Sequence, residues 1–143
     1  MVAVRRRIRP PPAKRENRLI IDTDVLVYEL RGNERARRTV AQNLPFGISV
    51  VSYLELVQGM RNRRELQALH RQLRRWSVNV IHIDTHISIR SMYYVEEFFL
   101  SHSMQLADAL VAATAVETNE TLLTANDKHY RHIPGIQIKI FVP

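Results

Sequence analysis

Short apolar segments, rich in β-branched residues, alternate with helical segments along nearly the whole chain. The sequence predicts strands at residues 18–22, 46–51, 78–83, 121–124 and 137–141. It predicts helices at residues 25–31, 34–43, 52–60, 64–76, 84–102 and 107–118. Buried strands separated by helices are typical of an α/β fold with a mainly parallel sheet. With 143 residues and no internal repeat, the chain is expected to form one domain.

The first predicted strand ends in two carboxylates. Asp22 and Asp24 follow the apolar residues 19–21, so the sequence places charge beside a predicted core. Buried charge is costly unless it is paired or bound to a cation, which makes both acids candidate metal ligands. The alternative is structural, because an acid at the start of a helix caps it and is stabilised by the helix dipole.

Glu55 is the next candidate, since it follows the apolar segment 46–51 by four residues. Ser52 and Glu55 also match the S-x-x-E pattern of a capping box, in which the glutamate bonds back to the serine N–H. The sequence therefore leaves two interpretations of Glu55, a structural cap or a ligand near the end of a strand.

Two further segments carry polar groups at similar places. Asp108 is the one carboxylate at the start of the apolar helix 107–118, where it is either a ligand or an acid favoured by the helix dipole. Thr124, Asn126 and Asp127 come at the end of the strand 121–124. The structural alternative for these three residues is an Asx turn.

Taken together, these segments place oxygen ligands after three predicted strands and at the start of one buried helix. In open α/β sheets, ligands bind at the carboxyl ends of the strands. Hard cations such as Mg²⁺ and Mn²⁺ prefer carboxylate and water oxygens. A metal site of this kind binds phosphodiester oxygens and activates a water molecule for in-line attack, so the pattern favours phosphodiester chemistry.

The net charge of +7 is concentrated near the N-terminus. Residues 1–18 contain seven basic residues and one acidic residue, a net charge of +6. The remaining 125 residues carry 14 basic and 13 acidic side chains, a net charge of +1. Three consecutive prolines at positions 10–12 disfavour a helix, so residues 1–18 are predicted to be a tail outside the folded domain. Such a tail is either a solvated leader or a contact to a nucleic-acid backbone.

Several classes of protein are excluded by composition. The chain has no cysteine, which rules out disulfides and thiolate metal sites. No apolar run approaches the ~20 residues that span a bilayer, and the charged N-terminus lacks the apolar segment of a signal peptide. We therefore expect a soluble cytoplasmic protein.

Four segments occur in a characteristic order: IDTDVL from residue 21, ISVVSYLELVQG from residue 48, LADALVAATA from residue 106 and LLTANDKHY from residue 122. In this order they resemble the PIN-domain family, specifically its VapC toxin type, over residues 19–143. The resemblance implies a three-layer α/β/α fold and an endoribonuclease that depends on Mg²⁺ or Mn²⁺. It also implies a homodimer and a protein antitoxin, as in a type II toxin–antitoxin pair.

The resemblance assigns Asp22, Glu55 and Asp108 to the catalytic, metal-binding triad of acids. Thr23 and Thr124 match positions with small hydroxyl groups near the site. These assignments are carried over from the motifs and not from the spacing of the residues.

This chain departs from the family pattern at one site position. Many family members have a fourth acid where Asn126 stands, and an amide ligand brings no charge to a metal. Asp24 stands at a position that is often neutral in the family, where it could restore that charge. Asn126 and Asp24 are therefore treated as secondary site residues, and the resemblance does not decide between one and two metals.

The basic and histidine residues outside the triad are weaker candidates. Arg61, Arg63 and Arg64 follow the Glu55 helix and are candidates for gripping the RNA backbone, although a basic run is also typical of a solvated face. The histidines at positions 102, 129 and 132 are predicted to be surface residues or neighbours of the ligands rather than catalysts. The apolar stripe Met92, Val95, Phe98 and Phe99 is predicted to be core or dimer surface.

Two other functions compete with the nuclease. The D-x-D sequence Asp22-Thr23-Asp24 also resembles the start of haloacid-dehalogenase-type phosphatases, with Asp22 as nucleophile, but their later lysine and acidic-pair motifs are missing here. The second alternative is a catalytically weak or inactive PIN-like module that binds RNA, an interpretation that Asn126 keeps open.

Overall fold

The computed structural model describes residues 18–143, and within them the chain forms five strands and six α-helices. The strands are β1 (Leu19–Ile21), β2 (Gly47–Ser49), β3 (Asn79–Ile81), β4 (Thr121–Thr124) and β5 (Ile138–Ile140). The helices are α1 (Thr23–Leu30), α2 (Glu34–Gln42), α3 (Val50–Gln58), α4 (Arg63–Arg75), α5 (Thr85–His102) and α6 (Leu106–Thr118). A short 3₁₀ helix (Asp127–His129) follows β4. The predicted basic tail, Arg18 apart, lies outside the described residues.

The sheet has the strand order β3-β2-β1-β4-β5, and every pair of neighbouring strands is parallel. Ile21 is the register partner of Leu123, so the residues that follow β1 and β4 emerge side by side. Ile20 pairs with Gly47 on the other side of β1, which brings the end of β2 to the same edge. The carboxyl ends of the three central strands therefore meet, as the sequence predicted.

The two faces of the sheet bury separate apolar clusters. Ile21, Ile48 and Leu123 face the layer that contains α1 to α4. Ile20 and Leu122 face the second layer, which contains α5 and α6. Successive side chains of a strand point to opposite faces, so neighbours such as Ile20 and Ile21 are both fully buried in different layers. The predicted three-layer α/β/α fold is confirmed.

Helix α6 packs deeply between α5 and the sheet. Its small residues let the backbones approach closely, and the buried ones are Ala109, Val111, Ala112, Ala113, Thr114 and Ala115. Because most of its surface is covered, α6 is held firmly in place. This packing fixes the position of Asp108 in the first turn of the helix.

The sequence placed the element boundaries to within two residues, with one instructive error. Helix α3 begins at Val50, and its N-cap is Ser49, whose hydroxyl accepts a hydrogen bond from the Val51 N–H at 3.1 Å. The sequence is wrong in starting this helix at Ser52, and the capping-box interpretation of Ser52 and Glu55 does not apply, because both residues lie inside the helix. By contrast, Asp84 caps α5, where its carboxylate accepts from the Ile87 N–H at 2.8 Å.

The apolar stripe on α5 divides between core and surface. Phe98 and Val95 pack against the second apolar cluster, whereas Met92 and Phe99 are 59% and 53% exposed.

None of the helices within residues 18–143 combines the length and hydropathy that crossing a bilayer requires.

The two serines at the start of α3 predict opposite effects on stability. The Ser52 hydroxyl is buried and has no hydrogen-bond partner among the described residues, so Ser52→Ala is expected to raise the free energy of unfolding by about 1 kcal/mol. Ser49→Ala removes the N-cap and is expected to lower it by about 1 kcal/mol. Urea denaturation of both variants measures the two effects. A loss of stability in Ser52→Ala would restore the capping-box interpretation.

Candidate functional site

Asp22 lies at the centre of the carboxyl edge of the sheet and is only 7% exposed. It is the N-cap of α1, and its Oδ1 atom accepts a hydrogen bond from the Thr23 N–H at 2.9 Å. Its Oδ2 atom accepts from the hydroxyls of Thr124 at 2.9 Å and Tyr130 at 3.0 Å. The buried carboxylate thus has three donors. One comes from the first residue of α1, one from the end of β4 and one from the residue after the 3₁₀ helix.

Asp24 lies beside Asp22 and is oriented by two backbone N–H groups. Its Oδ1 atom accepts from Val25 at 2.7 Å, and its Oδ2 atom accepts from Ala125 at 3.1 Å. Thr124 reaches both acids, since its Oγ1 atom is also 3.5 Å from Asp24 Oδ2. The two carboxylates that follow β1 therefore both contact Thr124 at the end of β4.

Burial and mutual repulsion disfavour ionisation of these acids. Burial, followed by the negative charge of Asp24, raises the pKa of Asp22 from 3.8 to about 6, although its hydrogen bonds act in the opposite direction. Burial also raises the pKa of Asp24 above its usual value. A cluster of this kind is electrostatically unfavourable when fully ionised, and a bound cation would remove that cost.

Asp108 approaches the same point from the second helical layer. Its Oδ1 atom lies 3.2 Å from the Tyr130 hydroxyl, the same hydroxyl that contacts Asp22. Its Oδ2 atom lies 3.1 Å from Nδ1 of His129. The structure therefore brings Asp22 and Asp108 together, on either side of one tyrosine hydroxyl.

Glu55 lies at the exposed rim, one turn into α3. Its Oε1 atom accepts a hydrogen bond from the Thr23 hydroxyl at 3.1 Å, and Thr23 follows Asp22 directly. The two threonines selected from the sequence thus link the acids to one another, Thr23 on the rim and Thr124 in the interior. Glu55 is thus connected to Asp22 through Thr23, and Asp108 is connected to Asp22 through the Tyr130 hydroxyl.

Asn126 is at the same edge, but its side chain is turned toward a histidine. Its Nδ2 atom lies 3.0 Å from Nε2 of His129, and its backbone N–H donates to the Thr124 hydroxyl at 3.0 Å. The backbone carbonyl of Asp127 accepts hydrogen bonds at the 3₁₀ helix, and its carboxylate lies 3.9 Å from Arg131.

Sequence reasoning missed Tyr130 altogether and undervalued His129. Tyr130 is 1% exposed although its neighbours Lys128, His129, Arg131 and His132 are all polar, so the local sequence does not predict its burial. Its hydroxyl contacts depend on residues 108 and 22 positions away in the chain, which no local pattern signals. The other two histidines, His102 and His132, stack on each other with ring centroids 4.2 Å apart and contact none of the site acids.

The chemistry of the donors fits a hard divalent cation. Every acid at this edge offers carboxylate oxygens, the ligands that Mg²⁺ and Mn²⁺ prefer. Across residues 18–143, no three acidic or histidine side chains already converge at metal-ligand spacing. Hydroxyl groups of threonine and tyrosine lie between the acids instead and hydrogen-bond to them.

A groove of about 800 Å³ between α1, α3 and α4 begins at Glu55. Arg61 lines it and is bound by Glu65, which accepts from its backbone N–H at 2.7 Å and contacts its guanidinium at 2.9 Å. Arg63 and Arg64 are exposed at the start of α4. Arg63 and Arg64 therefore lie in the first turn of α4, whereas Arg61 lies just before this helix and is partly neutralised by Glu65.

The sequence and the fold of this chain are similar to those of known proteins. The sequence model of the PIN domain matches residues 19–136. Ribonuclease VapC10 of Mycobacterium tuberculosis is 32% identical over 131 residues, which cover 87% of this chain and 95% of that protein. A toxin-antitoxin complex from Klebsiella pneumoniae aligns with a TM-score of 0.66 and 26% identity, over 83% of this chain and 94% of that chain. The DNA-bound VapBC of Salmonella typhimurium shares the fold, with a TM-score of 0.75 at 21% identity, over 87% and 98% of the two chains.

The raised pKa of Asp22 predicts how stability depends on pH in the presence of a chelator. Between pH 3.8 and about 6 the folded protein keeps a proton that the unfolded chain releases, so rising pH lowers the free energy of unfolding. Above about pH 6 Asp22 is ionised in both the folded and the unfolded protein, and the free energy of unfolding has fallen by its full amount, about 3 kcal/mol. Asp22→Asn lacks this ionisation.

The measurement is urea denaturation of wild type and Asp22→Asn at pH 4 and pH 8, each with a chelator. The wild type is expected to lose about 2–3 kcal/mol relative to the variant between the two pH values. A parallel pH dependence of the two proteins would show that the buried carboxylate ionises as it does in water.

Proposed function

Because this chain belongs to the PIN domain family, in its VapC-type ribonuclease branch, we propose that it is a metal-dependent endoribonuclease. The observation that carries the proposal is that Asp22 and Asp108 lie on either side of one tyrosine hydroxyl at the carboxyl edge of the sheet, with Glu55 bound to Thr23 beside them. The name of the relative VapC10 supports the choice of RNA as the substrate class.

We assign the three acids as the catalytic and metal-binding triad. Asp22 and Asp108 would hold a Mg²⁺ or Mn²⁺ ion from the interior, and Glu55 would close the site from the rim. When bound, the cation supplies positive charge beside the scissile phosphate and polarises a water molecule. Asp24, beside Asp22, supplies the negative charge that Asn126 does not bring to the cation. Thr23 and Thr124 orient the carboxylates through their hydroxyl groups.

The arginines at the start of α4 are proposed to grip the RNA backbone. Arg63 and Arg64 are exposed, and Arg61 lines the groove that begins at Glu55. Guanidinium groups bind phosphate oxygens without reading the base sequence. Their contribution is therefore to hold the strand across the rim, whatever its sequence.

We further propose that the protein is the toxin of a type II toxin–antitoxin pair, acting on cytoplasmic RNA. The solved complexes that it resembles pair a toxin with an antitoxin, which supports a protein partner. The groove at Glu55 offers such a partner the apolar side chains of Val27, Leu30, Met60 and Leu69. A helix seated there would cover the rim of the site.

A homodimer is supported by the outer face of α5. This apolar face is formed by Ile89, Met92, Tyr93, Phe99 and Leu100, whose side chains are between 53% and 92% exposed. The residues recur at helical spacing and form one stripe, which Glu96 interrupts at its middle. Exposed apolar side chains grouped on one side of a helix mark a protein interface, and we propose that a second copy of the chain covers them.

The first experiment for the nuclease is cleavage of a mixed RNA substrate by antitoxin-free protein. We expect cleavage with Mg²⁺ or Mn²⁺, none with a chelator, and a loss of at least about 100-fold in Asp108→Asn because a ligand charge is removed. Asp127→Asn is the matched control, since the Asp127 carboxylate forms its ion pair with Arg131. It should cleave as the wild type does.

The outcomes separate the proposed functions. Equal cleavage by wild type and Asp108→Asn would mark the activity as a contaminant or remove Asp108 from the site. If folded wild type does not cleave with either metal, the inactive RNA-binding module becomes the better interpretation, and binding of labelled RNA tests it directly.

The dimer has its own test. Replacing both Phe99 and Leu100 with glutamate places two charges in the apolar stripe and is expected to weaken self-association at least about 100-fold. Leu44→Glu adds a charge to another exposed apolar position and should leave the association unchanged. Sedimentation velocity measures all three proteins, and a monomeric wild type would refute the proposal.

A further inference from the structure

The turn that follows β4 holds two of the site acids through residues with no assigned role. Tyr130 is 1% exposed, with its ring in the second apolar cluster. Its hydroxyl lies 3.0 Å from Asp22 Oδ2 and 3.2 Å from Asp108 Oδ1. It thereby joins the end of β1 to the first turn of α6.

The Tyr130 hydroxyl has one proton for two carboxylates, so it donates to one of them at a time. When it donates to Asp108, Asp22 Oδ2 still accepts from Thr124. Both carboxylates thus stay turned toward the tyrosine. Asp22 Oδ1 has one donor, the Thr23 N–H, and therefore keeps a lone pair that a cation can use.

His129 holds the other oxygen of Asp108. Its Nε2 atom lies 3.0 Å from the amide nitrogen of Asn126, which can only donate, so Nε2 accepts and the proton is on Nδ1. That Nδ1–H group donates to Asp108 Oδ2 at 3.1 Å. Asn126 therefore fixes the ring of His129, and each oxygen of Asp108 receives one donor from the same turn.

We propose that Asn126, His129 and Tyr130 form a positioning arm that holds Asp22 and Asp108 in the orientation from which they bind the divalent cation. The arm acts through the ligands, and none of its three side chains contacts the metal. It also gives Asn126 a role that an acid at that position would not have. This inference rests on the proposed function, because it presumes that the two acids are metal ligands.

Removing the hydroxyl tests the arm with the least damage to the fold. Tyr130→Phe keeps the buried ring and removes the shared donor. Loss of a group that orients metal ligands typically weakens metal affinity about 10–100-fold. Tyr94→Phe is the matched control, because Tyr94 is 2% exposed in the same apolar cluster and its hydroxyl neighbours Arg90 rather than the acids.

The experiment is calorimetric titration of metal-free, full-length protein with Mn²⁺. We expect Tyr130→Phe to bind about 10–100-fold more weakly than wild type with the same stoichiometry, and Tyr94→Phe to bind as wild type does. RNA cleavage by Tyr130→Phe should recover when Mn²⁺ is raised in the same proportion. A merely structural role would instead lower cleavage at all metal concentrations.

His129 provides a second pair of variants, since its side chain is 49% exposed and its removal leaves the core intact. His129→Ala should weaken Mn²⁺ binding, and His129→Gln should restore part of it, because the glutamine amide can still donate to Asp108.

The outcomes distinguish the arm from the proposed function. If wild type binds no Mn²⁺, the metal requirement fails and the arm fails with it. If wild type binds Mn²⁺ and Tyr130→Phe binds it within twofold, the arm alone is overturned. If Tyr130→Phe does not fold, equal Mn²⁺ affinities of wild type and His129→Ala overturn it.

Discussion

Negative charge concentrated at one edge of a parallel sheet is the constraint on which this structure depends. Asp22, Asp24 and Asp108 are drawn together by packing in both helical layers, and burial raises the pKa of the first two. Burial of apolar side chains in the two clusters supplies the favourable free energy that offsets the cost of placing these carboxylates close together. The site is therefore less stable than an apolar edge would be, and a cation is the group that would relieve it.

The fold supplies the hydrogen bonds that make this charge tolerable. Helix α1 begins directly after β1, so Asp22 caps it, and backbone N–H groups at positions 25 and 125 orient Asp24. The parallel register of β1 with β4 places the Thr124 hydroxyl between both acids. These donors come from strand ends, so a change in register would separate the acids from their partners.

The sequence was sufficient to predict the fold class and the edge of the sheet at which its polar residues lie. Alternating strands and helices predict the α/β layers, and polar residues after apolar strands predict where Asp22 and Thr124 meet. It was insufficient where a side chain acts across the chain. Nothing local separates the true N-cap Ser49 from Ser52, because the difference is where β2 ends. Likewise, the polar residues on both sides of Tyr130 give no sign that its ring is buried or that its hydroxyl reaches two carboxylates.

The amide at position 126 is best understood as part of this balance of charge. A carboxylate there would add another negative charge beside Asp22 and Asp24, whose ionisation burial already disfavours. It would also remove the amide N–H that donates to Nε2 of His129. Without that hydrogen bond, the Nδ1–H group of His129 would no longer be held toward Asp108. On this argument the chain exchanges a charged ligand for a neutral hydrogen-bonded turn. The site then depends on the geometry of its acids more than on their number.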